Sequence, residues 1–170
     1  HITNNEDYLL LSKRLLDLRG DAEHRELYSA YNQDHIPVVE QDEAVGHAVR
    51  AVYMYAGMVD IAAMFNDADY LKASHALYDN VLNKKAYITG GLGARHEGEA
   101  FGDNYELPNL TAYSETCAAI AGVYWYDRLF RLTGDANYYD ILERTMYNGL
   151  ISGISLSGTE YFYPCALESD

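Results

Sequence analysis

Two short stretches of this chain hold side chains that could do chemistry together. The first runs Glu97-Gly98-Glu99-Ala100-Phe101-Gly102-Asp103-Asn104-Tyr105-Glu106-Leu107-Pro108-Asn109 and packs four acids into the ten residues from Glu97 to Glu106. By composition alone it is a solvated acidic loop. Glu99, however, sits between Gly98 and Ala100-Phe101, small and apolar neighbours able to desolvate it. Desolvation raises a carboxyl pKa towards the range that a general acid near neutral pH requires.

The second stretch is Glu115-Thr116-Cys117, at the start of a helical pattern that continues Ala118-Ala119-Ile120-Ala121-Gly122. Structure alone explains a first-turn Glu by the helix dipole and a Cys as a small buried hydrophobe. The chemical alternative is a metal site, because carboxylate oxygen and thiolate sulfur both bind Zn²⁺. Residues two apart point about 200° from each other on a regular helix, so both reach one ion only at an irregular helix start. Two ligands also fall short of a zinc site, so Cys165, a histidine or residues outside this chain would have to complete it.

His47 and Arg50 share the most apolar helical pattern, where each needs a polar partner. Glu143 similarly interrupts an apolar stripe of Ile141, Leu142 and Met146. In both cases a structural role explains the residue about as well as a sugar hydroxyl does. There is no Walker loop, Gly-x-Ser-x-Gly or Cys-x-x-Cys. Gly90-Gly91-Leu92-Gly93 opens no helix, so a dinucleotide loop fits poorly.

The elements that must position these residues are mostly helical. Apolar periodicity predicts helices around Leu9–Leu18, Ala44–Phe65, Ala68–Leu82, Ser114–Leu132 and Asn137–Leu150. A Gly-rich, turn-rich segment from Gly90 to Asn109 lies between them, and the stretch Ile154–Tyr163 alternates like a short hairpin around Ser157-Gly158. Gly20-Asp21-Ala22, Asn66-Asp67-Ala68 and Gly134-Asp135-Ala136 repeat one joint: a left-handed cap closes one helix and an Asp caps the next. Three such joints imply stacked αα-hairpins, as a solenoid or a toroid, with function carried on the long loop.

Composition narrows the field. The 170 residues hold 12 Lys+Arg against 26 Asp+Glu, a net charge of −14, with 49% hydrophobic residues. That suits one globular domain and excludes a disordered tail. No basic face is available for nucleic acid, and the longest apolar runs fall short of the ~20 residues of a membrane span. Two cysteines make no disulfide scaffold. Seventeen tyrosines suit either helix packing or a wet, ligand-lined cavity. The start, His1-Ile2-Thr3-Asn4-Asn5, has no basic region followed by an apolar run, and either end is compatible with a cut through a longer protein.

Several motifs together carry a resemblance. They are Gly46-His47-Ala48-Val49-Arg50-Ala51, Tyr87-Ile88-Thr89-Gly90-Gly91, Gly98-Glu99-Ala100-Phe101-Gly102, Tyr105-Glu106-Leu107-Pro108-Asn109, Glu115-Thr116-Cys117-Ala118-Ala119, Leu142-Glu143-Arg144-Thr145-Met146-Tyr147-Asn148-Gly149 and Gly153-Ile154-Ser155-Leu156. In order and spacing, from about Val45 to Glu168, the chain resembles glycoside hydrolase family 127, the β-L-arabinofuranosidase family. The first forty residues fit a barrel helix pair but carry no motif.

The resemblance implies an all-α fold. Residues 1–170 would form part of one (α/α)6-barrel catalytic domain, with antiparallel helical hairpins, a Gly-rich active-site loop and a short C-terminal β-hairpin. It implies a retaining glycosidase that releases β-L-arabinofuranose or a related sugar from plant-derived glycans. Glu99 matches the general acid/base, and Glu115 and Cys117 match two of four zinc ligands. His47, Glu143 and Tyr163 match positions that line the sugar pocket. The implied nucleophile is a zinc-bound cysteine in a later Cys-Cys pair whose neighbour is the fourth ligand, so the fragment alone is expected to be inactive. Cys165 follows Pro164 where the family more often has asparagine, and its role stays open.

The expected partners are a carbohydrate, no nucleic acid, no membrane, and a second copy through domains outside this chain. Cytoplasm and periplasm are both compatible. A zinc-independent (α/α)6 sugar enzyme, such as an epimerase or uronyl hydrolase, and a non-enzymatic helical-repeat binding module are the alternatives.

Overall fold

Two of the three repeated joints build the molecule. Asn66 and Gly134 each adopt a left-handed conformation, at φ 52° and 74°, and return their N–H groups to the carbonyls of Ala62 and Phe130. The next residue caps the following helix: the Asp67 carboxylate accepts the N–H groups of Asp69 and Tyr70, and Asp135 accepts that of Asn137. The helices so joined are α2 (Ala48–Phe65) with α3 (Ala68–Asn80), and α4 (Thr116–Thr133) with α5 (Ala136–Thr145). They follow α1 (Glu6–Asp17), and α2 packs against both α3 and α4. The computed structural model describes residues 3–169; His1 and Ile2, at the start considered above, and Asp170 lie outside the described residues.

Aromatic rings fill the seam between the two hairpins. Tyr55 on α2 meets Trp125 on α4 at 5.1 Å between centroids, and Tyr78 on α3 meets Tyr138 on α5 edge-on at 4.6 Å. Such pairs add about 0.5–1.5 kcal/mol each beyond the area they bury. Packing therefore accounts for several of the tyrosines. α2 is, by length and composition, apolar enough to cross a membrane, which the sequence runs did not anticipate. Half of it is buried inside the structure, as in a core helix.

The third joint does not behave like the other two. Gly20 has the expected left-handed φ of 77°, but no α-helix follows it before residue 48. Instead, Asp34 is buried and gathers the chain, accepting the N–H groups of Gly20 and Tyr28 and pairing with Arg25 at 2.6 Å. Gln33 and Gln41 bond buried carbonyls in the same way. This polar knot replaces the second helix of the pair expected in the first forty residues. It also delays α2 to Ala48, because His47 N–H is engaged by the carbonyl of Tyr31.

Both outer helices end in a wide π-turn, Val81–Lys85 after α3 and Met146–Leu150 after α5. Close packing at the Gly-Gly pair brings the second turn against the long loop. A Cβ on Gly90 would lie 2.2 Å from Thr145 Oγ1, and one on Gly149 would lie 3.4 Å from Gly91 N. No strand forms among the described residues. The expected C-terminal hairpin is reduced to one isolated antiparallel bridge, Ile154 to Tyr161, with a hydrogen bond from Ser155 N to Glu160 O.

Burial pushes the Asp34 carboxyl up, but the N–H groups of Tyr28 and Gly20 and the Arg25 guanidinium outweigh it and hold the pKa below the usual carboxylate value. Its stabilising contribution is therefore present above the unfolded pKa and lost as pH falls through the folded one. Asp34→Ala is expected to cost about 2–4 kcal/mol at neutral pH, since it leaves two N–H groups and a half-buried guanidinium unpaired. Chemical denaturation across pH 2–7 measures this, and the difference between variant and parent should shrink at the acid end.

Candidate functional site

Glu99 stands on a turn that its own backbone disfavours. Gly98 and Glu99 are consecutive left-handed residues, at φ 69° and 51°, and for a glutamate that region is uncommon. The turn is held on both sides. Arg95 and Ala100 exchange backbone hydrogen bonds of 3.0 and 3.1 Å, and Phe101 N–H donates to Gly46 O at 2.9 Å. Gly98 itself lies against the ring of Tyr31, where a Cβ would come within 2.9 Å. Loop and α2 N-terminus are thus one rigid corner, and it presents Glu99 to His47.

The two side chains meet at 3.0 Å, His47 Nε2 to Glu99 Oε2. The other carboxylate oxygen, Oε1, accepts a hydrogen bond from the Tyr113 hydroxyl at 3.4 Å. Glu99 keeps 42% of its side chain exposed, so Ala100 and Phe101 do not bury it as the sequence suggested. The two donors define its surroundings instead. Arg50, expected to share a buried helix with His47, is exposed; it stacks 4.8 Å from the Tyr31 ring centre and donates to Asn32.

The rest of the loop is more ordered than an acidic run in water. The Arg95 guanidinium grips Glu106 with two hydrogen bonds, 2.8 and 2.5 Å, and reaches Asp103 at 3.3 Å. Beneath it, the buried Lys85 ammonium donates to Gly102 O, Ala44 O and Glu43. The three acids of this run other than Glu99 are Glu97, Asp103 and Glu106, and the last two are thus tied to one cation.

Glu115 occupies the cap position of α4 with an extended backbone, φ −65° and ψ 143°, while Cys117 lies in the first helical turn. This is the irregular start that two-residue spacing requires. Glu115 is only 2% exposed, yet neither carboxylate oxygen meets hydrogen-bond geometry with a donor among the described residues. The Tyr113 and Tyr163 hydroxyls and the Cys117 thiol surround this carboxylate, which raises the pKa of each by its charge and by close polar contact.

Tyr163 is placed by the helix end itself: Thr116 N–H, which has no partner inside α4, donates to Tyr163 O at 3.0 Å. Its hydroxyl then stands 3.4 Å from Cys117 Sγ. Burial, chiefly, pushes the Cys117 thiol above its ordinary value, with Glu115 adding to it against the lowering contact from Tyr163. Cys117 and Glu115 raise Tyr163 in turn.

Tyr113 connects the two groups. Its ring rests against His96 at 4.2 Å and meets Tyr163 edge-on at 6.4 Å. Burial and the two carboxylates, Glu115 and Glu99, raise its pKa. Glu99, His47, Tyr113, Tyr163, Cys117 and Glu115 are therefore one constellation. Glu143 is exposed on α5 rather than set in the apolar stripe. Tyr113 was not among the residues singled out from sequence, and its only signal is adjacency to the Glu115-Thr116-Cys117 stretch.

A cleft of about 560 Å³ opens beside Cys117, lined also by Ile120, Ile154, Tyr161 and Tyr163. A slightly larger groove, about 590 Å³, runs between α1 and α2 and holds none of the candidate residues. An orphaned buried carboxylate next to a thiol fits a thiophilic cation such as Zn²⁺. Among the described residues no group of three or more His, Cys, Asp or Glu is placed to hold a metal. Among the described residues the candidate donors are thus Glu115 and Cys117, and Cys165, which contacts Thr116 Oγ1 at 3.7 Å and Phe162 O, is not grouped with them.

The family described as Beta-L-arabinofuranosidase, GH127 catalytic domain, matches residues 1–170. The non-reducing end β-L-arabinofuranosidase of Bifidobacterium longum subsp. longum is 34% identical over 185 aligned residues, which span 98% of this chain and 28% of that enzyme. Among solved structures, a GH127 β-arabinofuranosidase superimposes with a TM-score of 0.95 at 60% identity, over 99% of this chain and 26% of the other. A GH127 β-L-arabinofuranosidase from Geobacillus stearothermophilus T6 gives 0.93 at 43% identity, over 99% and 29%. The chain spans less than a third of the length of these relatives.

The Arg95 clamp yields a direct check on the loop. The guanidinium, above all, and the Asp103 N–H hold the Glu106 carboxyl at about 2. Arg95→Met should return it to the ordinary range near 4.3, read by NMR titration of Glu106. Because the folded value is depressed, loop protection from proteolysis should be full above the ordinary value and fade in the parent only as pH falls towards 2.

Proposed function

The chain belongs to the GH127 catalytic-domain family of β-L-arabinofuranosidases, and on that footing we propose that it is part of an (α/α)6-barrel domain in a retaining, zinc-thiolate glycoside hydrolase. The substrate class is a plant-derived glycan that ends in β-L-arabinofuranose or a related sugar. The two helical hairpins supply barrel staves, and the long loop supplies one wall of the active site. A single observation carries the reading: an accessible carboxylate, Glu99, and a buried glutamate beside a half-buried cysteine, Glu115 and Cys117, are joined through Tyr113 into one constellation.

In the reaction, Glu99 is the general acid/base. His47 holds one of its oxygens and Tyr113 the other, and the exposed edge of the carboxyl faces the leaving group. Glu99 gives its proton to the glycosidic oxygen as that bond breaks, and afterwards takes a proton from the water that attacks the anomeric carbon.

Glu115 and Cys117 are the two zinc donors that this chain contributes. A bound zinc ion would supply the positive charge that keeps coordinated thiols deprotonated at neutral pH. Tyr163, with its hydroxyl on Cys117 Sγ, and His47 line the sugar side of the pocket. The assignment of Glu143 to the same pocket comes from the resemblance alone. The attacking thiolate belongs to a Cys-Cys pair, which these 170 residues do not contain, and the isolated chain is therefore inactive.

The test is Glu99→Gln in the full-length polypeptide. With an alkyl β-L-arabinofuranoside, kcat/KM should fall by roughly 10²–10⁴, the usual worth of general acid catalysis. Turnover unchanged by the substitution would overturn the assignment.

A further inference from the structure

We propose that Tyr113 is a positioning residue for Glu99, its single O–H fixing the orientation in which the carboxyl delivers its proton. This deepens the reading of Glu99 as acid/base and rests on it. His47 alone cannot fix the Glu99 carboxyl. One contact, at Glu99 Oε2, leaves a carboxyl free to pivot about that point, and Glu99 is exposed enough for water to compete. A second donor on Oε1, from a different part of the fold, removes the pivot. Proton transfer to a glycosidic oxygen depends on alignment, so a fixed carboxyl is worth more than a mobile one with the same charge.

Tyr113 is built to hold that place. Its N–H donates to Ala94 O at 3.3 Å and its carbonyl accepts from Cys165 N–H at 3.2 Å, which anchors the backbone on two sides. His96 lies against the ring at 4.2 Å, and Tyr163 meets it edge-on. The hydroxyl has one proton and two carboxylates nearby, Glu99 and Glu115. Hydrogen-bond geometry is met only with Glu99, and both Glu115 oxygens are without a donor among the described residues. The proton therefore serves Glu99.

Tyr113→Phe removes one oxygen and keeps the ring between His96 and Tyr163, so folding is preserved. The readout is leaving-group dependence, which a purely structural role does not alter. In the full-length enzyme, kcat/KM is measured on an alkyl β-L-arabinofuranoside, whose aglycone must be protonated to leave, and on the p-nitrophenyl glycoside, whose aglycone leaves as an anion. Tyr113→Phe should lower the first about tenfold, roughly one hydrogen bond's worth, and the second by less than about twofold.

Equal losses on both substrates, or no loss on either, would overturn the inference. Glu99→Gln is run in parallel as the reference. A large alkyl-selective loss in Glu99→Gln without one in Tyr113→Phe sinks the role of Tyr113 alone. No selectivity in Glu99→Gln sinks the acid/base reading, and the inference falls with it.

Discussion

A buried carboxylate with no cationic partner among the described residues is the constraint on which the rest of this structure turns. Withdrawing such a charge from water costs several kcal/mol unless something nearby answers it. Glu115 is in that position at the head of α4, and the groups around it, Tyr113, Tyr163 and Cys117, all have their pKa values raised by its charge among other causes. Three neutral groups around one charge leave it uncompensated. The proposed zinc ion removes the difficulty by adding positive charge at a carboxylate that forms no ion pair among the described residues. The same geometry explains why Glu115 caps α4 with its backbone while its side chain makes no capping bond.

The opposite wall of the site solves a different problem. Glu99 must stay accessible yet be held still, and burial cannot achieve both. The loop does so by fixing the backbone rather than covering the side chain. Paired hydrogen bonds between Arg95 and Ala100, the Arg95–Glu106 clamp and the Lys85 anchor enforce two left-handed residues in a row. Strain of this kind, about 1–3 kcal/mol at Glu99 and none at Gly98, persists only where the surroundings over-determine it. Tyr113 stands where the two walls meet.

Much of the scaffold was legible in the sequence because it is local. Asn66-Asp67 and Gly134-Asp135 form the caps their side chains favour, and the apolar patterns after them become α3 and α5. The same logic failed at Gly20-Asp21, where Asp34, thirteen residues past Asp21, captures the backbone and no helix starts. Periodicity carries no trace of a contact across that distance. The C-terminal alternation likewise read as a hairpin, but among the described residues it forms one isolated bridge, Ile154 to Tyr161, and no strand.

For the site, residue types and spacing marked Glu99, Glu115 and Cys117, while their environments had to come from the fold. The small neighbours of Glu99 do not desolvate it, and Glu143 faces solvent rather than an apolar stripe. Tyr113 was one tyrosine among seventeen until the fold placed its hydroxyl. On the proposed reading, Glu115 and Cys117 together hold one zinc ion. Anomalous diffraction at the zinc edge on crystals of the full-length enzyme tests it most directly. One strong peak is expected about 2.3 Å from Cys117 Sγ and about 2.0–2.2 Å from a Glu115 oxygen. A peak bonded to neither residue, or none in crystals whose dissolved enzyme is fully active, would contradict it.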